Sequence, residues 1–96
     1  MHHERVSISP EPPRKGQEVL IHYRGLLAEC GADQVWLHYG FDSWKNTHTV
    51  NMNKVGENSF SCALKAEGKK EMNFCFKDSA EHWDNNNGQD WNISIK

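Results

Sequence analysis

Along most of the chain, apolar and polar residues alternate with a period of two. Val6 and Ile8 alternate with polar neighbours until Pro10, Pro12 and Pro13 break the run. Glu18 to Arg24 places Val19, Ile21 and Tyr23 on one face and Leu20, His22 and Arg24 on the other. Gln34 to Gly40 does the same, with Val35, Leu37 and Tyr39 opposed to Trp36 and His38. Thr49 to Asn53 carries Val50 and Met52 in phase, Ser59 to Lys65 carries Phe60, Cys62 and Leu64, and Glu71 to Lys77 carries Met72, Phe74 and Phe76. Trp91, Ile93 and Ile95 form a last in-phase set. Gly25 and Gly31-Ala32-Asp33 bracket a short connection of undecided type, and no ten-residue stretch holds a helical period.

Seven short strands, each with one apolar face and separated by turn signals, predict an all-β chain. The expected fold is an immunoglobulin-like β-sandwich of two antiparallel sheets, seven to eight strands in all, spanning residues 1–96 as one domain. In this reading Tyr23, Tyr39 and Trp91 enter the core and His22 stays at the surface. With 96 residues, 36% of them hydrophobic, the chain has material for one small core. It holds no run of eighteen apolar residues, which excludes a membrane-spanning helix. Met1-His2-His3-Glu4-Arg5 has no apolar stretch behind its charges, so no secretory signal is expected. The net charge is −2 and the eleven Lys and Arg are scattered, which speaks against a phosphate-tracking nucleic-acid surface.

Cys30, Cys62 and Cys75 are odd in number and lack CxxC spacing, which argues against a disulfide framework and a zinc ribbon. If the Cys62 and Cys75 segments form a hairpin, their thiols point to opposite faces, so free or buried thiols are expected. That favours a reducing compartment and leaves excision from a secreted multidomain parent open.

Four Trp and nine Asn are the unusual feature of the composition. Two polar loops concentrate them. Gly40 to Asn46 places Trp44 between Asp42-Ser43 and Lys45-Asn46, just after His38 and Trp36 on the outward phase of their strand. Asp78 to Asp90 places Trp83 among Asp84, Asn85 and Asn86, followed by the turn dipeptide Asn87-Gly88. Aromatic faces beside amides and carboxylates suit a sugar, whose C–H face stacks on a ring and whose hydroxyls need fixed polar partners. For Trp36 the alternative of packing on the sheet surface weighs equally.

Three other readings compete. The loop aspartates Asp42, Asp78, Asp84 and Asp90 could hydrolyse a glycoside only with a raised pKa in a deep cleft, which so small a sandwich rarely offers. A calcium loop starting at Asp84 puts Gly88 at the fifth position and Ile95 at the twelfth, so the EF-hand pattern fails and only an irregular site from Asp84 and Asp90 remains. A protein-interaction module using the same Trp-bearing loops is the third reading.

The segments Val35-Trp36-Leu37-His38-Tyr39-Gly40-Phe41-Asp42-Ser43-Trp44, Asn73-Phe74-Cys75-Phe76-Lys77-Asp78 and Trp83-Asp84-Asn85-Asn86-Asn87-Gly88 resemble the starch-binding carbohydrate-binding modules of family 25 and the related family 53. The resemblance runs from about Val19 to Ile95. It implies a β-sandwich that binds α-1,4-glucans without catalysis or cofactor, as a module of a larger amylase- or starch-synthase-like protein. It assigns the sugar platform to His38, Trp44 and Trp83, with Asp84, Asn85 and Asn86 as hydroxyl or loop-shaping partners. Glu81-His82 departs from the family pattern, in which small residues are usual before the tryptophan, and so crowds or recharges the rim.

Overall fold

The computed structural model describes residues 6–44, 46–85, 88 and 90–96. Four strands form one antiparallel sheet in the order β1 (Val6–Ser9), β2 (Glu18–Tyr23), β6 (Ser59–Lys65), β5 (Asn53–Gly56). The second sheet is built on β3 (Val35–Phe41) and β7 (Glu71–Asp78), with β4 (Asn46–Asn51) outside β3. The free edge of β7 is shared by two short strands. β9 (Trp91–Ser94) pairs its first half from Glu71 to Phe74, and β8 (Trp83–Asp84) pairs Phe76 and Lys77.

The core lies between the sheets, as the alternation requires. Val19, Ile21, Tyr23, Phe60 and Cys62 face it from one side, and Val35, Leu37, Phe41, Met72, Phe74, Phe76, Trp91 and Ile93 from the other. Tyr23 and Phe76 stack across the gap with ring centroids 4.0 Å apart. The β-sandwich of two antiparallel sheets is therefore the fold that the period-two pattern predicts. Tyr39 is only partly buried and packs at the core's margin, with its hydroxyl pKa raised chiefly by desolvation.

The chain differs from its sequence reading in three places. The segment read as one strand from Thr49 to Asn53 is two strands in different sheets: the chain crosses at Met52, which is buried, while β4 ends at Asn51 and β5 begins at Asn53. Alternation cannot reveal a strand that changes sheets, because the residue at the corner stays apolar. The polar 78–90 loop holds the two-residue β8, too short to show a period; together with the divided strand it brings the strands among the described residues to nine, against the seven to eight expected. The undecided connection after Gly25 is a single helical turn, α1 (Leu26–Glu29), which buries Leu27 and Ala28. Cys62 and Cys75 do not share a hairpin; their strands lie in different sheets, and all three cysteines are free.

Candidate carbohydrate-binding face

The outer face of the five-stranded sheet can be read as rows across its register. Gly40 pairs with Asn73, His38 with Cys75, and Trp36 with Lys77, which pairs in turn with Trp83. Alternation sends all of these away from the core, opposite to Leu37, Phe74 and Phe76. His38 stands at the centre. Its ring lies nearly parallel to that of Trp44, with centroids 5.6 Å apart and planes 20° apart, and edge-on to Trp83, at 5.7 Å and 83°. The two indoles are therefore steeply inclined to each other, with the imidazole between them. Thr49 Oγ1 lies 2.8 Å from His38 Nδ1 and fixes the ring's orientation from β4.

Trp44 reaches this place through an unusual stretch of backbone. Asp42, Ser43 and Trp44 all have left-handed φ, between 50° and 66°. Such conformations cost on the order of 1–3 kcal/mol each outside glycine, so the surroundings must impose them. Asp42 supplies the restraint: its carboxylate accepts hydrogen bonds from the backbone N–H groups of Lys69, Lys70 and Glu71, and its own N–H donates to the Glu71 carbonyl. The loop is thereby tied to the start of β7. Trp44 then folds back onto β3 over Gly40. A Cβ at Gly40 would meet Trp44 Cε3 at 2.8 Å and its Cα at 3.0 Å, so only glycine leaves room for the indole.

Trp83 is held from the other side. Asp78 accepts hydrogen bonds from the backbone N–H groups of Ala80 and His82, and its second oxygen lies 3.0 Å from His82 Nδ1. Burial works against the Asp78 carboxylate, but these hydrogen bonds outweigh it and lower its pKa. The turn includes Glu81 at a left-handed φ of 64° and delivers Trp83, 46% exposed, to the sheet edge. The Lys77 ammonium lies between two indoles, 5.6 Å from the Trp83 ring and 5.9 Å from that of Trp36, and pairs with Glu81 at 3.3 Å. Cys75, beside His38, is buried although it faces outward; desolvation first, then Asp90 and Asp84, push its thiol up to about 12.

Of the residues singled out from sequence, His38, Trp44 and Trp83 come together, and Trp36 lies on the same face beyond Lys77. Asp84 turns the other way. It pairs with inward-facing Phe76, and its carboxylate accepts the Tyr23 hydroxyl at 2.6 Å, so it anchors β8 to the core. Asn85 shapes its loop: its side-chain oxygen accepts the Gly88 N–H and its carbonyl the Asp90 N–H. Asn86 and the Asn87 of the turn dipeptide lie outside the described residues, whereas Gly88 adopts the expected positive φ. Among the described residues no group of three or more His, Cys, Asp or Glu is placed to hold a metal ion.

The sequence pattern assigned no site role to Gly40, Thr49 or Lys77, and it offered Asp42 and Asp78 as hydrolytic carboxylates, with Asp42 also a polar neighbour of Trp44, and not as the scaffolding they are. A glycine inside a strand, two residues from the outward histidine, was the signal for a close approach by another group. Aspartates at or just after strand ends are usual caps of backbone amides, which is how Asp42 and Asp78 act.

An aromatic platform on the outer face of a β-sandwich, with His38 and Trp83 carried by strands and Trp44 by a loop, is the form of a binding module. The particular family follows from comparison: the chain belongs to the starch/carbohydrate-binding modules of family 53, whose family model matches residues 19–74. An α-amylase of Clostridium acetobutylicum is 34% identical over 95 residues, covering 96% of this chain and 12% of that protein. The chain thus spans about an eighth of that relative's length. No solved structure matches it.

Proposed function

We propose that this chain binds α-1,4-glucans (starch, glycogen and maltooligosaccharides) on the Trp44–His38–Trp83 platform, and does not cleave them. The observation that carries the reading is the inclination of the two indoles about His38. Successive glucose units of an α-1,4-linked chain turn along a helix, so two rings at a steep angle each meet a C–H face. The flat ribbon of a β-1,4-glucan favours coplanar aromatics. Stacking supplies most of the affinity, and surrounding polar groups select the hydroxyl pattern.

The Asp78 carboxylate is taken up by the Ala80 and His82 N–H groups and that of Asp42 by Lys69, Lys70 and Glu71, which supports a structural and not a hydrolytic role for both. The α-amylase relative, far longer than this chain, supports a role in which the module holds a larger starch-acting protein to its polymer. Native electrophoresis tests the reading against protein docking through the same tryptophans. Mobility relative to a non-binding standard falls in a gel containing soluble starch and not in a starch-free gel. Equal relative mobility in both gels contradicts glucan binding.

A further inference from the structure

Trp83 also lines a groove that holds neither of the other two platform residues, His38 and Trp44. This groove, of about 540 Å³, is lined by Leu26, Leu27 and Cys30 of the helical segment and by Asp78, Glu81, His82 and Trp83 of the opposing turn. Its volume is within the range of small-ligand clefts, ~300–1,000 Å³. Leu26 is 48% exposed and Trp83 46%, so the two apolar surfaces face solvent together. Its walls are preset: the Tyr23 hydroxyl accepts the Leu27 N–H at 3.0 Å and donates to Asp84 at 2.6 Å, tying α1 to β8. Gly25 makes that packing possible, since a Cβ there would lie 2.5 Å from the Tyr23 ring.

We infer that this groove is a second glucosyl subsite, which takes the continuation of an α-glucan already held on the platform. The inference rests on the glucan-binding reading above. Continuity carries it, because one tryptophan belongs to both the platform and the groove. An α-1,4-glucan turns as it advances, so a chain stacked on the inclined rings curves around the exposed edge of Trp83. The rim offers what hydroxyls need. The Glu81 side chain is 76% exposed, and the His82 side chain 73%, with His82 Nδ1 held by Asp78 so that Nε2 is left for a ligand. Glu81 and His82, the residues that depart from the family pattern, thus become part of a sugar site.

The test compares maltotriose, sized for the platform, with maltoheptaose, long enough to span both. Cys30 is exposed and lines the groove, while Cys62 and Cys75 are buried with thiols pushed up to about 11 and about 12. A disulfide-exchange reagent added to the folded chain therefore reports on Cys30. Saturating maltoheptaose slows this reaction several-fold, and saturating maltotriose leaves its rate unchanged. Leu26→Asp then lowers maltoheptaose affinity on the order of fivefold and leaves maltotriose affinity at the parent value. The longer sugar also gains from its greater number of binding registers, but that gain is the same in parent and variant. Equal labelling rates with both sugars overturn the inference, as does a Leu26→Asp effect equal on both. The labelling arm needs no variant, so it decides even if Leu26→Asp fails to fold. Loss of the subsite alone leaves maltotriose binding intact; failure of either sugar to bind brings down the glucan-binding reading and this inference together.

Discussion

The five-stranded sheet carries an aromatic cluster on each face, and the two differ in what holds them. Inside, Trp91 stacks on Phe74 at 6.1 Å and meets Phe76 edge-on at 5.2 Å, all three buried. Its Nε1 finds no acceptor among the described residues, and the indole is held by its packing against these rings. Outside, Trp44 and Trp83 flank His38 and are positioned by hydrogen bonds that two aspartates make to loop backbone. The tandem strands at the edge of β7 make the division: β9 sets Trp91 against inward Phe74, and β8 sets Trp83 against outward Lys77. The same residue type thus packs the core on one face and, in the function proposed above, meets the glucan on the other, according to strand phase.

The largest expected effect is on the inner face. Trp91→Ala leaves a cavity against Phe74 and Phe76 and lowers stability by about 3–5 kcal/mol, read as a fall in melting temperature. On the outer face, Trp44→Ala or Trp83→Ala melts near the parent and loses about 2 kcal/mol or more of glucan binding, roughly thirtyfold in affinity. If the outer variants melted far below the parent while Trp91→Ala did not, the two faces would be assigned the wrong way round.

Gly40→Ala sharpens the comparison, since it alters the outer cluster without removing an aromatic. The added methyl displaces Trp44 at a cost of about 1–3 kcal/mol. We expect maltoheptaose affinity to fall roughly tenfold, with near-ultraviolet circular dichroism reporting the moved indole and a smaller change in melting temperature. Unchanged affinity would mean that Trp44 does not need its seat over Gly40.

The smallest effect concerns Asp78. Its folded-state pKa lies below the ordinary value of 3.8, so its hydrogen bonds add stability above that value, and this is lost as pH falls through the lower folded pKa. Melting temperature therefore declines on acidification below about pH 4, and Asp78→Asn reduces that dependence. An unaltered acid limb in the variant would show that Asp78 does not hold the turn.

Most of the sandwich was legible in the sequence because β2, β3, β6 and β7 keep their apolar phase, as from Val19 to Tyr23 and from Met72 to Phe76. The corner at Met52 was not, since a residue between two sheets is as apolar as one within a sheet. His38, Trp44 and Trp83 were legible from their outward phase or polar loops together with the family resemblance. The inward turn of Asp84 was not, because it depends on a Tyr23 hydroxyl sixty-one residues away in the chain. The seat at Gly40 depends likewise on where a later loop folds back, which a single strand's pattern does not encode.

Whether the outer platform is shaped for a turning glucan, as we propose, is read from a paired fluorescence titration. Adding maltoheptaose to the parent chain produces a saturable change in tryptophan emission, and adding cellohexaose over the same range produces none. A saturable response to cellohexaose equal to or stronger than that to maltoheptaose would contradict the account.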